Sequence, residues 1–359
     1  MSYIKITALF LAIALTGCSE PTTPASSLEN TPGVSLNNLK QHIKTLASDD
    51  FEGRGPLTLG EVKTVGYLSE QYQAMGLSGA YQGKYLQPVK MAMLTADQNM
   101  QLTMGKLSFI AGKDFTARTK QLQPIIDVRN SDIVFVGYGI NAPEYNWNDY
   151  ANVDVTDKTV IVLVNDPGFA TQDDTLFTGN AMTYYGRWTY KYEEAARRGA
   201  KAVFIVHETA PAAYPWGVVE SSNTGTKYSL MDNNLNASEL PVMGWLTLNA
   251  AEQVFASANL NYQQLKQHAL SKQFQAKELN LKANLAFKNE VSHAKSHNVV
   301  AQITGSETPD EYVIISAHWD HFGTKQTDNG PKIYNGAVDN ASGTAATLEI
   351  ARIMSKMHQ

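Results

Sequence analysis

The sequence predicts an α/β protein, because short apolar, β-branched runs alternate with segments of helical periodicity. Thr159-Val-Ile-Val-Leu-Val164 and Ala202-Val-Phe-Ile-Val206 have the length and composition of buried strands. Between them, residues 192–198 have helical spacing, and Gly199 is placed to end that helix. A length of 359 residues predicts about two domains, each able to bury its own core.

Composition narrows the possible functions. The chain is 43% hydrophobic and 18% charged, with a net charge of −5 at pH 7. Such a balance is typical of a globular protein and gives no reason to expect a nucleic-acid partner. The chain has 1 cysteine, so an intramolecular disulfide is excluded.

That cysteine follows an N-terminal apolar segment. The run Ile6–Leu15 is too short to span a bilayer, but it fits the apolar region of a secretory signal. Leu15-Thr-Gly-Cys18 resembles the lipobox of bacterial lipoproteins, which implies cleavage after residue 17 and lipid attachment at Cys18. The resemblance, with Ser19 next, implies a cell-envelope location on the periplasmic face of the outer membrane. An ordinary signal with an incidental cysteine is the alternative.

Residues 18–34 form a polar Pro/Ser/Thr tether, and we expect structure to begin near Ser35, a candidate N-cap. A first helix follows, and a second is predicted from about Leu59 to Met75. The loop between them contains acidic side chains that we attribute to helix capping and to pairing with Arg54. These acidic residues are Asp49, Asp50 and Glu52.

The candidate site lies near the other end of the chain. Tyr312-Val-Ile-Ile-Ser-Ala317 predicts a buried strand, and its C-terminal end delivers His318 and Asp320 to the same side. Asp339 lies 21 residues after His318, in a Gly-rich turn before a helix that begins near Ala341. Side chains of these types at a strand end are typical of metal ligands and of the carboxylates that orient them.

The residues alone leave a second interpretation open. A carboxylate just before a helix is ordinarily an N-cap, so Asp339 and the histidines could be a helix cap beside surface residues. The helix itself is predicted to bury one apolar stripe. The stripe consists of Ala346, Ile350, Ile353 and Met357.

Two stretches resemble the M28 family of co-catalytic zinc aminopeptidases. They are Ala317-His-Trp-Asp-His321 and the 20 residues from Ile333 to Arg352. The resemblance implies a mixed-sheet α/β zinc-peptidase (phosphorylase/hydrolase-like) domain, two Zn²⁺ ions per site and peptide substrates cut near the N-terminus. It implies His318 as a ligand of one zinc, Asp339 as the bridge between both, and Asp320 as the catalytic residue that orients His318. It also implies a cis Asp339–Asn340 bond.

The same resemblance predicts the domain organisation of the rest of the chain. The order of strands and helices after residue 115 resembles the protease-associated domain often inserted in this family. The predicted segments are 1–17 signal peptide, 18–34 tether, 35–115 N-terminal peptidase part, 116–285 inserted domain and 286–359 first part of the metal-binding core.

The family pattern needs more than this sequence holds after the last helix. It requires a Glu-Glu pair whose first glutamate is the general base, a further acidic ligand and a final histidine. We therefore expect a C-terminally truncated, incomplete peptidase domain, and a 359-residue chain that hydrolyses little or nothing.

Three other functions remain possible from the sequence. The first is a non-catalytic lipoprotein that binds peptides or proteins on the same scaffold. The second is an iron oxygenase using His318, Asp320 and the later His358. The third is carboxypeptidase or cyclase chemistry in the same fold. The remaining histidines are expected to be exposed or hydrogen-bonded: His42, His207, His268, His293 and His297.

Overall fold

The structure is a computed structural model that describes residues 33–357. The signal peptide, Cys18 and His358 lie outside the described residues, so their predicted roles stay predictions. The chain divides into two compact units. One contains the described residues up to Gln87 together with those from His297 onward, and the other is Pro88–Ser296. The second unit extends beyond the predicted insertion at both ends, and its assignment as a protease-associated domain stays a prediction.

Helices occur in both units, and none of those described is long and apolar enough to cross a membrane. They are α1 Leu36–Leu46, α2 Leu59–Ala74, α3 Pro167–Thr171, α4 Trp188–Arg197, α5 Thr209–Ala212, α6 Trp216–Asn223, α7 Leu248–Ser257, α8 Tyr262–His268 and α9 Ser342–Met357.

The strands are β1 Ser78–Gly79, β2 Leu86–Ala96, β3 Gln101–Met104, β4 Leu107–Ile110, β5 Phe115–Arg118, β6 Ile125–Phe135, β7 Asn141–Ala142, β8 Trp147–Asn148, β9 Thr159–Leu163, β10 Ala202–His207, β11 Lys227–Leu230, β12 Val242–Thr247, β13 Lys277–Val299, β14 Ala301–Gln302, β15 Gly323–Thr327 and β16 Gly330–Tyr334.

In the unit that carries the candidate site, α9 contacts both α1 and α2. Ser35 caps α1 as predicted, because its hydroxyl accepts the Asn38 amide at 3.3 Å. The predicted second helix is confirmed as α2. Small sheets complete this unit: β1 pairs with β14, and β15 forms a hairpin with β16. The buried side chains of the three helices include Leu46, Leu68 and Leu348.

The apolar face predicted for the last helix is wrong. Ala345 and Leu348 are fully buried on α9, whereas Ile350 is 37% exposed and Met357 is 76% exposed. The buried face also carries Glu349, which accepts the Ser35 amide at 2.6 Å. A carboxylate that binds another helix's N-terminus is compatible with burial, and hydropathy periodicity does not register such a contact.

The unit Pro88–Ser296 is built on a mixed sheet, which confirms the predicted mixed-sheet α/β class. Strands β6, β9, β10 and β12 run parallel to one another in that order, and β5 pairs antiparallel to β12 at one edge. The strongly apolar runs predicted as buried strands are confirmed as β9 and β10.

Alternating residues of these strands enter two cores. Ile161 and Phe204 point into one apolar cluster, while Val162 and Val203 belong to the other. Both faces of the central strands are therefore covered, which explains why their sequences are continuously apolar rather than alternating.

Candidate metal centre

The segment before His318 differs from its prediction. Residues 312–317 have no regular secondary structure, and Val313 and Ile314 are 93% and 84% exposed. The predicted buried strand is therefore wrong for this structure. A strand needs a neighbouring backbone to pair with, and no described strand lies beside this segment.

The loop that carries His318 is held in place by hydrogen bonds to two other elements, α9 and β13. Thr344 of α9 donates its hydroxyl to the His318 carbonyl at 3.1 Å. The Trp319 indole donates to the His297 carbonyl at 3.1 Å. These bonds fix the backbone on which His318 stands, although no strand supports it.

The loop that carries Asp339 depends on a glycine. Gly336 has a left-handed φ of 60°, and a Cβ there would lie 2.4 Å from the Asp339 carbonyl oxygen and 2.6 Å from the His321 ring. Only glycine fits this close approach. The Asp339–Asn340 peptide bond is cis, so that prediction is confirmed.

Asp339 is not the helix cap, because its neighbour takes that role. The Asn340 side-chain oxygen accepts the Gly343 amide at 3.1 Å, which is the bond an N-cap residue makes. The Asp339 carboxylate is 66% exposed. The helix-cap interpretation of Asp339 is therefore wrong, and its carboxylate is available for another partner.

That partner is His318. Its Nε2 lies 3.1 Å from Asp339 Oδ1, so the two side chains that the sequence separates by 21 residues meet. On the other side of the ring, Nδ1 lies 3.0 Å from the Asp320 carbonyl oxygen and 3.5 Å from the Asp320 carboxylate. The backbone of Asp320 thus makes the closer contact, whereas the resemblance implied its carboxylate.

Both ring nitrogens of His318 face acceptor oxygens. A carbonyl oxygen can only accept, so Nδ1 donates its proton to the Asp320 carbonyl. A metal-binding histidine held in this way through Nδ1 uses Nε2 as its ligand atom, and here Nε2 is the nitrogen that faces Asp339.

The donor set fits zinc. Imidazole nitrogen and carboxylate oxygen are both zinc ligands, and two donors on one tetrahedral zinc lie roughly 3.3 Å apart. The observed separation of 3.1 Å is close to that value. Within residues 33–357, no three His, Cys, Asp or Glu side chains converge as a metal site. The described residues therefore supply a pair of ligands, and their metal-binding roles stay predictions.

Arg54 is a residue of this centre that sequence reasoning missed. Its side chain is 0% exposed, and its guanidinium donates to the carbonyls of Trp319, Asn335 and Gly336 at 2.6–2.8 Å. A further bond goes to the Leu46 carbonyl at 2.5 Å. Arg54 therefore ties the His318 loop to the Asp339 loop. Burial lowers the pKa of its guanidinium, while Asp320 and Asp339 act in the opposite direction.

The expected pairing of the acidic cluster with Arg54 is accordingly wrong. Glu52 pairs with Lys63 at 3.3 Å, and Asp49 accepts a hydrogen bond from the Asn335 side chain at 2.7 Å. The glycines on either side of Arg54 are a sequence signal for a close backbone contact at this position. Gly53 has a φ of 66°, and a Cβ there would lie 2.5 Å from the carbonyls of Gly323 and Tyr334.

The five histidines predicted to be hydrogen-bonded or exposed are so in the structure. His42 Nδ1 lies 2.6 Å from the Tyr67 hydroxyl, and His207 Nε2 lies 2.9 Å from the Tyr214 carbonyl. His297 contacts Glu61 at 3.3 Å. His268 and His293 are exposed.

Fold and site together define an α/β protein in which a histidine and an aspartate side chain meet 3.1 Å apart beside the start of α9. Residues 298–359 match the family model of peptidase family M28. The predicted resemblance to that family is therefore confirmed for this segment.

Curated relatives match over short stretches. A probable glutamate carboxypeptidase LAMP1 of Arabidopsis thaliana is 38% identical over 76 residues, which are 21% of this chain and 10% of the relative. A probable zinc metalloprotease of Pyrenophora teres f. teres is 32% identical over 114 residues, or 31% of this chain and 22% of the relative. The matched stretches thus span less than a quarter of either relative.

Solved structures match over a larger share of the chain. An aminopeptidase from Aneurinibacillus sp. strain AM-1 is 22% identical with a TM-score of 0.43, covering 90% of this chain and 60% of that protein. The zinc aminopeptidase BSAP of Bacillus subtilis is 15% identical with a TM-score of 0.35, covering 89% and 57%.

Proposed function

We propose that this chain is a zinc-dependent peptidase of the M28 type in which His318 and Asp339 are metal ligands. The observation that carries the proposal is the 3.1 Å separation of His318 Nε2 from Asp339 Oδ1. The family match over residues 298–359 and the relatives named as zinc metalloproteases support it.

Hydrogen bonds within the chain would hold the two ligands in position before a metal binds. The Asp320 carbonyl accepts a hydrogen bond from His318 Nδ1, which leaves Nε2, on the side of Asp339, as the nitrogen that would bind the metal. Arg54 fixes the carbonyls of both loops, which limits the movement of His318 relative to Asp339. When bound, zinc supplies Lewis acidity that makes water a better nucleophile toward a peptide carbonyl.

We also propose that Asp339 bridges two zinc ions. A carboxylate has two oxygens with about four acceptor sites, and the side chain of Asp339 is open to solvent. Asp320, whose carboxylate is 3.5 Å from His318 Nδ1, would stabilise the orientation of that ring. The more specific proposal for activity is cleavage of peptides near their N-terminus, with carboxypeptidase or cyclase chemistry as the alternative within the family.

The 359-residue chain by itself is expected to turn over little or no substrate. Catalytic zinc usually has three protein ligands, whereas the described residues bring a pair of donors together. Zinc-dependent release of p-nitroaniline from an aminoacyl p-nitroanilide by the purified chain would contradict this expectation.

Metal binding tests the site directly. We expect the purified chain to bind Co²⁺ or Zn²⁺ in equilibrium dialysis, and His318→Ala and Asp339→Asn each to weaken binding at least tenfold, since each removes one of two ligands. His293→Ala is the matched control, because His293 is exposed in the other unit. Unchanged binding by both site variants would refute the proposed ligands.

The location of the protein is a separate proposal. We infer that Cys18 anchors the mature chain in the cell envelope through lipid, supported by Leu15-Thr-Gly-Cys18. Cys18→Ala should move the protein from the membrane fraction to the soluble fraction, and mass spectrometry of the wild-type N-terminus should show acylation. An unmodified cysteine would refute the anchor.

A further inference from the structure

A cavity of about 160 Å³ lies within the unit Pro88–Ser296. Its walls come from the end of β5, from α6 and from β12, with the Trp188 side chain of α4 beside them. An engineered apolar cavity of about 150 Å³ is large enough to hold benzene. The cavity therefore has room for a group the size of one aromatic ring.

Most of the wall is aromatic or aliphatic. Trp245 is 3% exposed and Val219 is 2% exposed, so they form the closed side. Tyr214 lines the same space. Trp188 and Val218 are 38% and 43% exposed, which places them where the cavity meets solvent. Such walls favour a flat apolar group.

One cation lines this apolar space. Arg118 Nε donates to Asn223 Oδ1 at 3.0 Å, and the guanidinium carbon lies 5.9 Å from the centre of the Trp188 ring. Asn223 is 8% exposed, and its amide group donates to the Val219 carbonyl at 2.8 Å. The guanidinium is thereby held in position by a side chain that is itself fixed.

The charge of Arg118 has no direct counter-ion in the part of the chain that the structure describes. Glu239 is close enough to affect the guanidinium electrostatically, but it pairs with Lys120 at 3.5 Å. Four of the five N–H donors of Arg118 make no hydrogen bond to a described residue. A partly buried charge is normally paired, so this one is suited to an external anion.

We propose that this cavity binds a carboxylate attached to an apolar group of about one aromatic ring, with Arg118 holding the carboxylate and the tryptophan walls holding the ring. The guanidinium fork matches a carboxylate in two parallel hydrogen bonds. The proposal rests on residues of the unit Pro88–Ser296 alone and stands independently of the metal centre.

Phenylacetate is the first probe, and its neutral isostere phenylacetamide is the matched ligand control. Calorimetry and quenching of tryptophan fluorescence should show phenylacetate binding to the full chain with a dissociation constant of about 1 mM. Phenylacetamide should bind at least tenfold more weakly, because it cannot use the charge of Arg118. Equal binding of the two probes, or binding of neither, would overturn the proposal.

Variants then place the site. Arg118→Gln should weaken phenylacetate binding at least tenfold, whereas Arg129→Gln should not change it, because Arg129 is an exposed arginine paired with Asp127. Val218→Trp fills the cavity from an exposed position and leaves Arg118 intact, so it should also abolish binding. Thermal melts establish that each variant is folded, and binding that survives Val218→Trp would contradict the assignment.

A second ligand tests whether the carboxylate that binds here belongs to a peptide C-terminus or to a free small acid. N-acetyl-glycyl-phenylalanine presents a peptide C-terminus with the same ring. Tighter binding than phenylacetate assigns the site to peptide C-termini, and weaker binding assigns it to free small acids. Either result supports the carboxylate site.

Discussion

At the scale of single residues, the candidate centre depends on the fully buried guanidinium of Arg54. Arg54 donates to half-buried carbonyls on both ligand loops, and its own side chain is fully buried. Hydrogen bonds from a charged donor contribute about 1.5–3 kcal/mol each, and unpaired buried acceptors are costly. Replacing Arg54 should therefore affect both the stability of the fold and the geometry of the ligands.

Two variants separate these effects. Arg54→Met should lower the free energy of unfolding by about 3 kcal/mol or more, because it leaves several carbonyls without donors. Arg54→Lys keeps the positive charge but loses the planar set of guanidinium donors that reaches both loops. Co²⁺ affinity should therefore fall at least tenfold, while the free energy of unfolding should fall less than in Arg54→Met. Urea unfolding and the Co²⁺ absorption spectrum measure the two quantities.

Lys63→Met is the control for Arg54, because Lys63 lies near the same turn and makes a half-exposed pair with Glu52. It should change stability by less than about 1 kcal/mol. Wild-type Co²⁺ affinity in Arg54→Lys would show that Arg54 has no role in positioning the ligands.

A second residue gives this unit a pH dependence. His42 is 9% exposed, and burial lowers the pKa of its imidazole below the ordinary 6.5, with Glu349 acting in the opposite direction. The unfolded chain therefore binds a proton at higher pH than the folded chain. The contribution of His42 is fully present above about pH 6.5 and is lost as the pH falls toward the lower folded pKa.

Melting temperatures at pH 7.5 and pH 5.5 test whether the contribution of His42 to stability is lost as the pH falls. His42→Gln should show a smaller loss of melting temperature over this interval than the wild type, because residue 42 no longer takes up a proton on unfolding. His293→Gln, at an exposed position, should follow the wild type. An unchanged pH slope in His42→Gln would contradict the assignment.

At the scale of elements, sequence patterns predicted secondary structure correctly where contacts within one short segment determine it. The cap of α1 is such a local contact, from the Ser35 hydroxyl to the Asn38 amide. The cap of α9 is also local, but the sequence pattern indicated Asp339 as the candidate cap and not Asn340. The strand predicted before His318 is absent, because a strand requires a partner that local pattern cannot supply. The apolar run 312–315 is exposed instead.

A substitution in residues 312–315 tests whether this segment is exposed or forms a buried strand. Ile314→Lys should change the free energy of unfolding by less than about 0.5 kcal/mol, because Ile314 is 84% exposed. In a buried strand the same change would cost several kcal/mol. Leu348→Ala of α9 is the comparison at a fully buried position, and it should cost about 3 kcal/mol in urea unfolding.

At the scale of the whole molecule, each of the two units encloses a basic side chain, which in the unit with the candidate site is Arg54. The unit Pro88–Ser296 encloses a lysine: Lys191 is 0% exposed, and its ammonium donates to the carbonyls of Tyr138, Asn165 and Tyr185 at 2.7–2.8 Å. Burial lowers the pKa of Lys191 to about 7, while Asp149 and Asp166 act in the opposite direction.

Lys191→Met should lower the free energy of unfolding of this unit by about 3 kcal/mol or more, because three carbonyls lose their donor. The pH dependence has a defined sign. With a folded pKa below the unfolded 10.5, the contribution of Lys191 is lost as the pH falls from 10.5 toward 7. Wild-type stability should therefore rise between pH 7 and pH 9, and this rise should be smaller in Lys191→Met.

Lys201→Met is the matched control, because Lys201 is 48% exposed and pairs with Asp157 on the surface. It should change stability by less than about 1 kcal/mol at either pH. Equal unfolding curves for the two lysine variants would show that the carbonyl contacts of Lys191 do not contribute.

The sequence by itself determined the α/β class, the strands β9 and β10 and the Ser35 cap of α1, and it singled out His318 and Asp339, whose side chains meet in the structure. Local hydropathy, capping chemistry and motif spacing are properties of short segments, so one sequence is enough to predict them. Tertiary structure decided which face of α9 is buried and that Arg54 joins the ligand loops. Those outcomes depend on contacts between residues that are 314 and 281 positions apart in the sequence, and such contacts form only when the fold has brought the backbone groups that they satisfy together.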